Sequence, residues 1–133
     1  MKRLHVHIRV DDLANARRFY SALFGAAPTI NRQDYVKWSL EDPRVNLAIS
    51  TRCGGQPGID HLGIQTESAT ELDALQAQLE QARQELLEER GANCCYAHSD
   101  KHWTRDPDGV VWELFHTMGE SRVYGEDHGP VRA

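Results

Sequence analysis

Two histidines occupy the same place in two copies of one short phrase. The first copy reads Leu4-His5-Val6-His7-Ile8-Arg9 and the second Asp60-His61-Leu62-Gly63-Ile64-Gln65. Laid over one another, they match His5 with His61 and His7 with Gly63. A helix-like stretch follows each copy, so one supersecondary unit is used twice. Histidines at matching places in two such units can meet across a pseudo-twofold axis, which is one way to build a metal site. Aligning the Asp42-Pro43 and Asp106-Pro107 turns with a two-residue gap adds a third position, at which Glu113 matches Ala48. Pseudo-symmetry therefore offers His5, His61 and Glu113, with a fourth ligand missing at Ala48. Two histidines and one carboxylate leave coordination positions open, as in oxygen-using non-haem Fe(II) sites. An open position also distinguishes catalytic from structural metal binding. Each of these residues alone reads more simply as an ordinary half-buried strand residue. A carboxylate between Trp112 and Leu114 resists that reading, because burying an unpaired charge is costly. Strand alternation puts His7 on the face of His5, so local geometry leaves both open. The repeat selects His5.

The elements that must hold these residues follow from periodicity and punctuation. Residues 4–10 read as a strand, and Asp11 and Asp12 offer N-caps to a helix. Its apolar stripe is Leu13, Ala16, Tyr20, Leu23 and Phe24, and Gly25 ends it. Strands are expected at 29–32, 35–40 and 46–51, the last pair joined at Asp42-Pro43, and 53–58 reads as the linker between halves. The second half repeats that order. A strand at 59–66 precedes a capping box of Ser68 and Glu71. Leu72, Leu75, Leu79, Ala82 and Leu86 then predict a long helix closing near Gly91, with Glu85, Glu88 and Glu89 on its exposed face. Strands at 94–98, 101–104 and 110–117 complete the unit, with Asp106-Pro107-Asp108-Gly109 as a turn. The expected fold is α+β: two βαβββ modules, about 3–52 and 59–117, forming a cupped mixed sheet around a metal site within a single domain of 1–133. A loosely ordered polar tail would span 118–133.

Composition sets the outer limits. The 133 residues suffice for one domain with a proper core. Fifteen basic against twenty acidic side chains, net −5, argue against a nucleic-acid partner. The absence of a long apolar run argues against a signal peptide or a membrane span. Three cysteines, two of them adjacent, make no disulfide framework, so the expectation is a cytoplasmic protein with reduced thiols.

The phrases Val10-Asp11-Asp12-Leu13, Phe19-Tyr20, Leu23-Phe24-Gly25, Asp60-His61-Leu62-Gly63-Ile64 and Asp106-Pro107-Asp108-Gly109 with Glu113 resemble the vicinal oxygen chelate superfamily. That superfamily includes glyoxalases, extradiol dioxygenases and bleomycin- and fosfomycin-resistance proteins. The resemblance spans residues 3 to about 117 and implies two βαβββ modules paired around a metal. It fixes a fold far better than a reaction.

Cys94-Cys95 narrows the chemistry. Neighbouring strand residues point to opposite faces, so both thiols can chelate one atom only where the chain bends, and Gly91-Ala92-Asn93 makes a loop there plausible. Thiolates prefer soft centres. A trivalent organoarsenical has two exchangeable oxygens, which two thiolates would replace; arsenite would accept a third thiolate, for which Cys53 remains. The pair reads equally well, on its own, as two small buried hydrophobes. The context decides between them. Cys94-Cys95-Tyr96-Ala97, Ser99-Asp100-Lys101, Trp103, the opening Met1-Lys2-Arg3-Leu4-His5-Val6-His7, Pro43-Arg44-Val45-Asn46, Ala48-Ile49-Ser50-Thr51-Arg52 and Phe115-His116-Thr117-Met118-Gly119-Glu120 are similar to the carbon–arsenic lyases and the cadmium-induced proteins. This resemblance implies Fe(II) on His5, His61 and Glu113, O2 as co-substrate, and a trivalent organoarsenical such as methylarsonous acid held by Cys94 and Cys95 and degraded to arsenite. It also implies a homodimer.

Trp103 is a candidate wall of the substrate site and Lys101 a cation near its oxygens. The simpler reading of Lys101 and His102 is a solvated turn. His98 and His116 lack repeat partners and are not assigned. One alternative function is sequestration of cadmium or another thiophilic ion without turnover. Adjacent thiols do not explain a separate His/His/Glu set, however. A glyoxalase-like isomerase is a third, disfavoured by alanine at position 48, where a fourth ligand would be wanted.

Overall fold

A computed structural model describes residues 1–51, 55–94 and 97–120, the side chains of 89–94, 97–99 and 118–120 excepted. The element order is β1 (Arg3–Arg9), α1 (Leu13–Phe24), β2 (Ile30–Asn31), β3 (Tyr35–Glu41), β4 (Arg44–Ser50), β5 (Gly58–Thr66), α2 (Ala69–Gln81), β6 (Leu87–Cys94), β7 (Ala97–Arg105) and β8 (Val111–Glu120). The pattern βαβββ thus occurs twice, and among the described residues the chain is α+β with eight strands and two helices. The chain divides into two compact units, Leu4–Leu62 and Met1–Arg3 with Gly63–Ala133.

In the unit Leu4–Leu62 the strand order is β2-β3-β4-β1-β5, with β1 and β4 parallel and β3 and β4 antiparallel. Helix α1 starts where Asp12 accepts the Asn15 N–H at 3.0 Å and stops at Gly25, whose φ of 62° is left-handed. Its Ala16, Tyr20 and Phe24 pack on Val36, Trp38, Val45, Leu47 and Ile49. The Trp38 ring lies 5.8 Å from Tyr20 and 6.1 Å from Phe24, and its indole N–H donates to the Ala26 carbonyl at 3.2 Å. Alternation places Val6 and Ile8 of β1 against this apolar layer. It therefore turns His5 and His7 to the opposite face, as it does Asn46, Ala48 and Ser50 of β4. All five are buried. A buried face carrying this many polar groups is not a packing solution, and it marks the site.

In the other unit the order is β5-β8-β7-β6, with β7 antiparallel to β6 and β8. Ser68 caps α2 by accepting the Glu71 N–H at 3.1 Å, and Glu71 reaches back to the Glu67 N–H at 2.8 Å, one residue beyond the usual capping box. Two expectations are corrected here. The helix ends at Gln81 rather than near Gly91, and Glu88 and Glu89 lie in β6. Arg83, at φ 59°, closes α2: its N–H donates to the Glu80 carbonyl and the Gln84 N–H to Leu79, both at 2.9 Å. The strand expected at 94–98 is instead the end of β6 and the start of β7, paired Cys94 with Ala97. Cys95, Tyr96 and Cys53 lie outside the described residues. So does most of the expected tail, since β8 runs to Glu120 and the description stops there. Among the described residues no helix is long and apolar enough to cross a membrane.

Candidate metal centre

His5 enters from β1, where its backbone partner in β4 is Asn46. Its Nδ1 lies 3.0 Å from the Asn46 backbone carbonyl and 3.2 Å from the Asn46 side-chain oxygen. Both are acceptors, so Nδ1 carries the proton and Nε2 the lone pair. His61 enters from β5. Its Nδ1 lies 2.7 Å from a carboxylate oxygen of Asp60, which again assigns the proton to Nδ1 and the lone pair to Nε2. The two Nε2 atoms face one another at 3.2 Å, both rings buried.

Two imidazole lone pairs at that distance cannot hydrogen-bond each other. A cation between them resolves the conflict. Two nitrogens each about 2.0–2.1 Å from one ion stand about 3 Å apart when the angle at the ion is near 100°. The donor set therefore fits a divalent metal. The carboxylate behind His61 and the carbonyls behind His5 are the outer groups that fix ring orientation and basicity in metal sites generally.

Asp60 is itself held. Its second oxygen accepts from Arg9 Nη1 at 2.7 Å, its side chain is fully shielded, and Arg9 Nε donates to the Gln56 carbonyl at 2.8 Å. Both Asp60 bonds are charge-assisted and short. Asp60 and Arg9 join the site through the structure alone. The available signals were an acid adjoining a candidate ligand and an arginine on the His5 face of β1.

His7 shares the cluster. One ring nitrogen each from His5, His7 and His61 lie within 4.8 Å of one another, all three residues buried. The His7 ring is 5.0 Å from His61 and edge-on to Tyr35 at 5.9 Å, and its Nε2 is 2.8 Å from the Ser50 hydroxyl.

Glu113 lies in the other unit, on β8 opposite Trp103 of β7. Its carboxylate accepts from Lys101 Nζ at 2.7 Å, and both side chains are buried. Lys101 Nζ also lies 5.5 Å from the centroid of the Trp103 ring. Lys101, His102 and Trp103 are all buried within β7, which contains the strand expected at 101–104 and corrects the solvated reading of Lys101 and His102. Of the cysteine pair, Cys94 ends β6 with its side chain outside the description, and Cys95 is outside it altogether.

A trivalent organoarsenical cleaving enzyme of Bacillus sp. (strain MD1) is 42% identical over 121 residues, 88% of this chain and 74% of that protein. The cadmium-induced protein CadI of Mycobacterium bovis is 33% identical over 125 residues, 94% of this chain and 82% of its own length. The fold matches the Mn(II)-bound glyoxalase of Novosphingobium aromaticivorans with a TM-score of 0.64 at 17% identity, over 96% of this chain and 44% of that one. A match over residues 2–114 runs from the start of β1 into β8, and the chain belongs to the glyoxalase/bleomycin resistance protein/dioxygenase superfamily.

Proposed function

We propose that this chain is an Fe(II)- and O2-dependent lyase that cleaves the carbon–arsenic bond of trivalent organoarsenicals such as methylarsonous acid, releasing arsenite. The observation that carries the reading is the buried His5–His61 pair. Its two lone-pair nitrogens face each other at 3.2 Å, in a chain 42% identical to an organoarsenical cleaving enzyme. In the proposal His5, His61 and Glu113 hold Fe(II), as the sequence repeat implies, and Cys94 and Cys95 hold arsenic. When bound, the metal supplies binding and activation of dioxygen beside the substrate. The protein's own part is positioning. Asn46 and Asp60 fix the two imidazoles, and Lys101 orients the Glu113 carboxylate through one oxygen. Two thiolates convert a bimolecular encounter into an intramolecular one, which lowers the barrier by pre-ordering the reacting carbon. Trp103 would supply an apolar wall. The proposal includes one domain over 1–133, from the chain length, ligands from both modules, from the repeat, a homodimeric assembly, on family resemblance, and a cytoplasmic location, from cysteines that make no disulfide framework.

The second reading is a protein that binds cadmium or another thiophilic ion without turnover, prompted by the 33% identity to a protein named as cadmium-induced. One assay separates the two. Protein reconstituted anaerobically with Fe(II) is given methylarsonous acid with and without O2, and arsenite is measured. The lyase reading expects arsenite only with O2. It also expects Cys94→Ser and Cys95→Ser to lose arsenical binding while keeping Fe(II), because a serine hydroxyl stays protonated and hard. Glu113→Ala should keep the arsenical and lose iron. Arsenite release undiminished in the double cysteine variant, or without O2, rejects the lyase.

A further inference from the structure

The repeat leaves a gap in the ligand set, and the strand register shows what stands beside it. Glu113 of the second module corresponds to Ala48 of the first, where a methyl group replaces a ligand. Ala48 is fully buried, and its backbone partners are His7 in β1 and Lys37 in β3. Partners in register on neighbouring strands point to the same face. The space that a longer side chain at position 48 would occupy is therefore flanked by an imidazole and an ammonium. Only the imidazole can bind a metal.

We infer that His7 takes the coordination position missing at Ala48, making a third imidazole ligand beside His5 and His61. The inference rests on the metal centre proposed above and deepens it. Three observations independent of the repeat support it. His7 is 1% exposed, so its polar ring is not on the surface for solubility. One of its nitrogens lies within 4.8 Å of ligand atoms on both other histidines. The ring is also braced, by the Ser50 hydroxyl at 2.8 Å and by the edge of Tyr35, as ligating histidines generally are. The whole set comes from Leu4–Leu62, so it does not depend on Glu113. A third imidazole moves a site with two histidines and a carboxylate toward ions that favour nitrogen donors, such as Co(II), Ni(II) and Zn(II). The substrate-independent consequence is a module that still holds such an ion when Glu113 is removed.

The test uses Co(II) as a spectroscopic probe in the full chain, read by visible absorption and by competitive titration. Glu113→Gln should retain Co(II) binding, and His7→Ala in that background should lose it. In the otherwise native chain, His7→Ala should weaken Co(II) about tenfold or more and shift the absorption bands. His7→Ala/Ala48→Glu should recover affinity, since the glutamate supplies the missing donor from the symmetric position. His7→Gln, which keeps a polar partner for Ser50, guards against a folding defect. A measurement without any variant guards further. The Co(II)-loaded native protein should show paramagnetically shifted ring N–H signals from three histidines rather than two. His7 variants with native affinity and spectrum, or two shifted histidines, overturn the inference while leaving His5 and His61 as ligands. If His5→Ala and His61→Ala also bind Co(II) normally, the underlying metal centre is what fails.

Discussion

Replacing Asp60 by asparagine should reverse the proton placement on His61 and weaken metal binding without emptying the space. Asp60 is fully shielded and accepts two bonds of 2.7 Å, from His61 Nδ1 and from Arg9 Nη1. Asparagine has one oxygen and one NH2 in place of two acceptors. The guanidinium is always charged and takes the oxygen, so the NH2 faces His61 Nδ1. Two donors cannot meet there, and the imidazole must shift its proton to Nε2, the atom that faces His5. The lone pair needed for ligation is then turned away. Loss of an outer-shell partner costs 10–100-fold in metal affinity, about 1.4–2.7 kcal/mol, and the reversed tautomer places Asp60→Asn near the upper end. Competitive titration with Co(II) or Mn(II) measures the affinity, and nitrogen-15 ring shifts of the metal-free protein report the tautomer. Asp60→Ala differs in kind. It removes the carboxylate that faces a half-buried guanidinium, so it should cost fold stability too, by less than the about 3–5 kcal/mol of a fully buried pair. Arg9 is 18% exposed and keeps its bond to Gln56, which softens the loss. An Asp60→Asn protein with native metal affinity, or with the proton still on Nδ1 of His61, would refute the reasoning.

Two further perturbations test the other unit. Lys101 and Glu113 side chains are 4% and 7% exposed at 2.7 Å, so Lys101→Met strips the cation from a buried carboxylate and should destabilise by about 3–5 kcal/mol in chemical denaturation. Lys101→Met/Glu113→Gln should recover most of that, and saturating metal should narrow the Lys101→Met deficit only if Glu113 is a ligand. The Glu71 carboxyl is held below its ordinary range, first by the Glu67 N–H and then by the N-terminal amine and Lys2. A lowered folded-state pKa gives stability that is present above the unfolded value and lost as pH falls through the folded one. The melting-temperature gap between the native protein and Glu71→Gln should therefore be constant near neutrality and close on acidification; a gap that widens in acid contradicts the assignment.

Helix α1 was legible because both ends carry residue-specific signals, the Asp12 side chain on Asn15 N–H and a left-handed Gly25. The start of α2 was legible at Ser68 for the same reason. Its end was not. Arg83 adopts φ 59° and makes the terminal bonds that glycine usually makes, at a conformational cost of about 1–2 kcal/mol. Leu86, seven residues after Leu79, then continued a helical spacing that the backbone had already abandoned. Strand β6 reads Leu-Glu-Glu-Arg-Gly-Ala-Asn-Cys, without the alternation that would have announced it. The same shift explains β7. Once β6 exists, the strand expected at 101–104 lies between two others, and Lys101 and His102 are buried where the solvated reading left them in water.

The repeat brought His5 and His61 to attention and passed over His7, and the reason is one of dimension. Comparing two phrases along the chain asks which residues agree, and His7 has a glycine as counterpart. A coordination sphere does not ask that question. It collects whatever donors share one face of the sheet, from strands that are neighbours in space. The parallel register of β1 with β4 sets His5 beside Asn46 and His7 beside Ala48, and both pairings are invisible to the chain order. Asymmetry between the modules is then informative rather than noise. Where the second module has glycine at the His7 position it carries a glutamate at 113, and where the first has alanine at 48 it carries a histidine next door. Each module thus presents one extra donor beyond its repeat-matched histidine, from different strands. If the proposed centre takes both His7 and Glu113, the His7→Ala and Glu113→Gln proteins should shift its metal preference in opposite directions, the first toward ions that favour oxygen and the second toward ions that favour nitrogen.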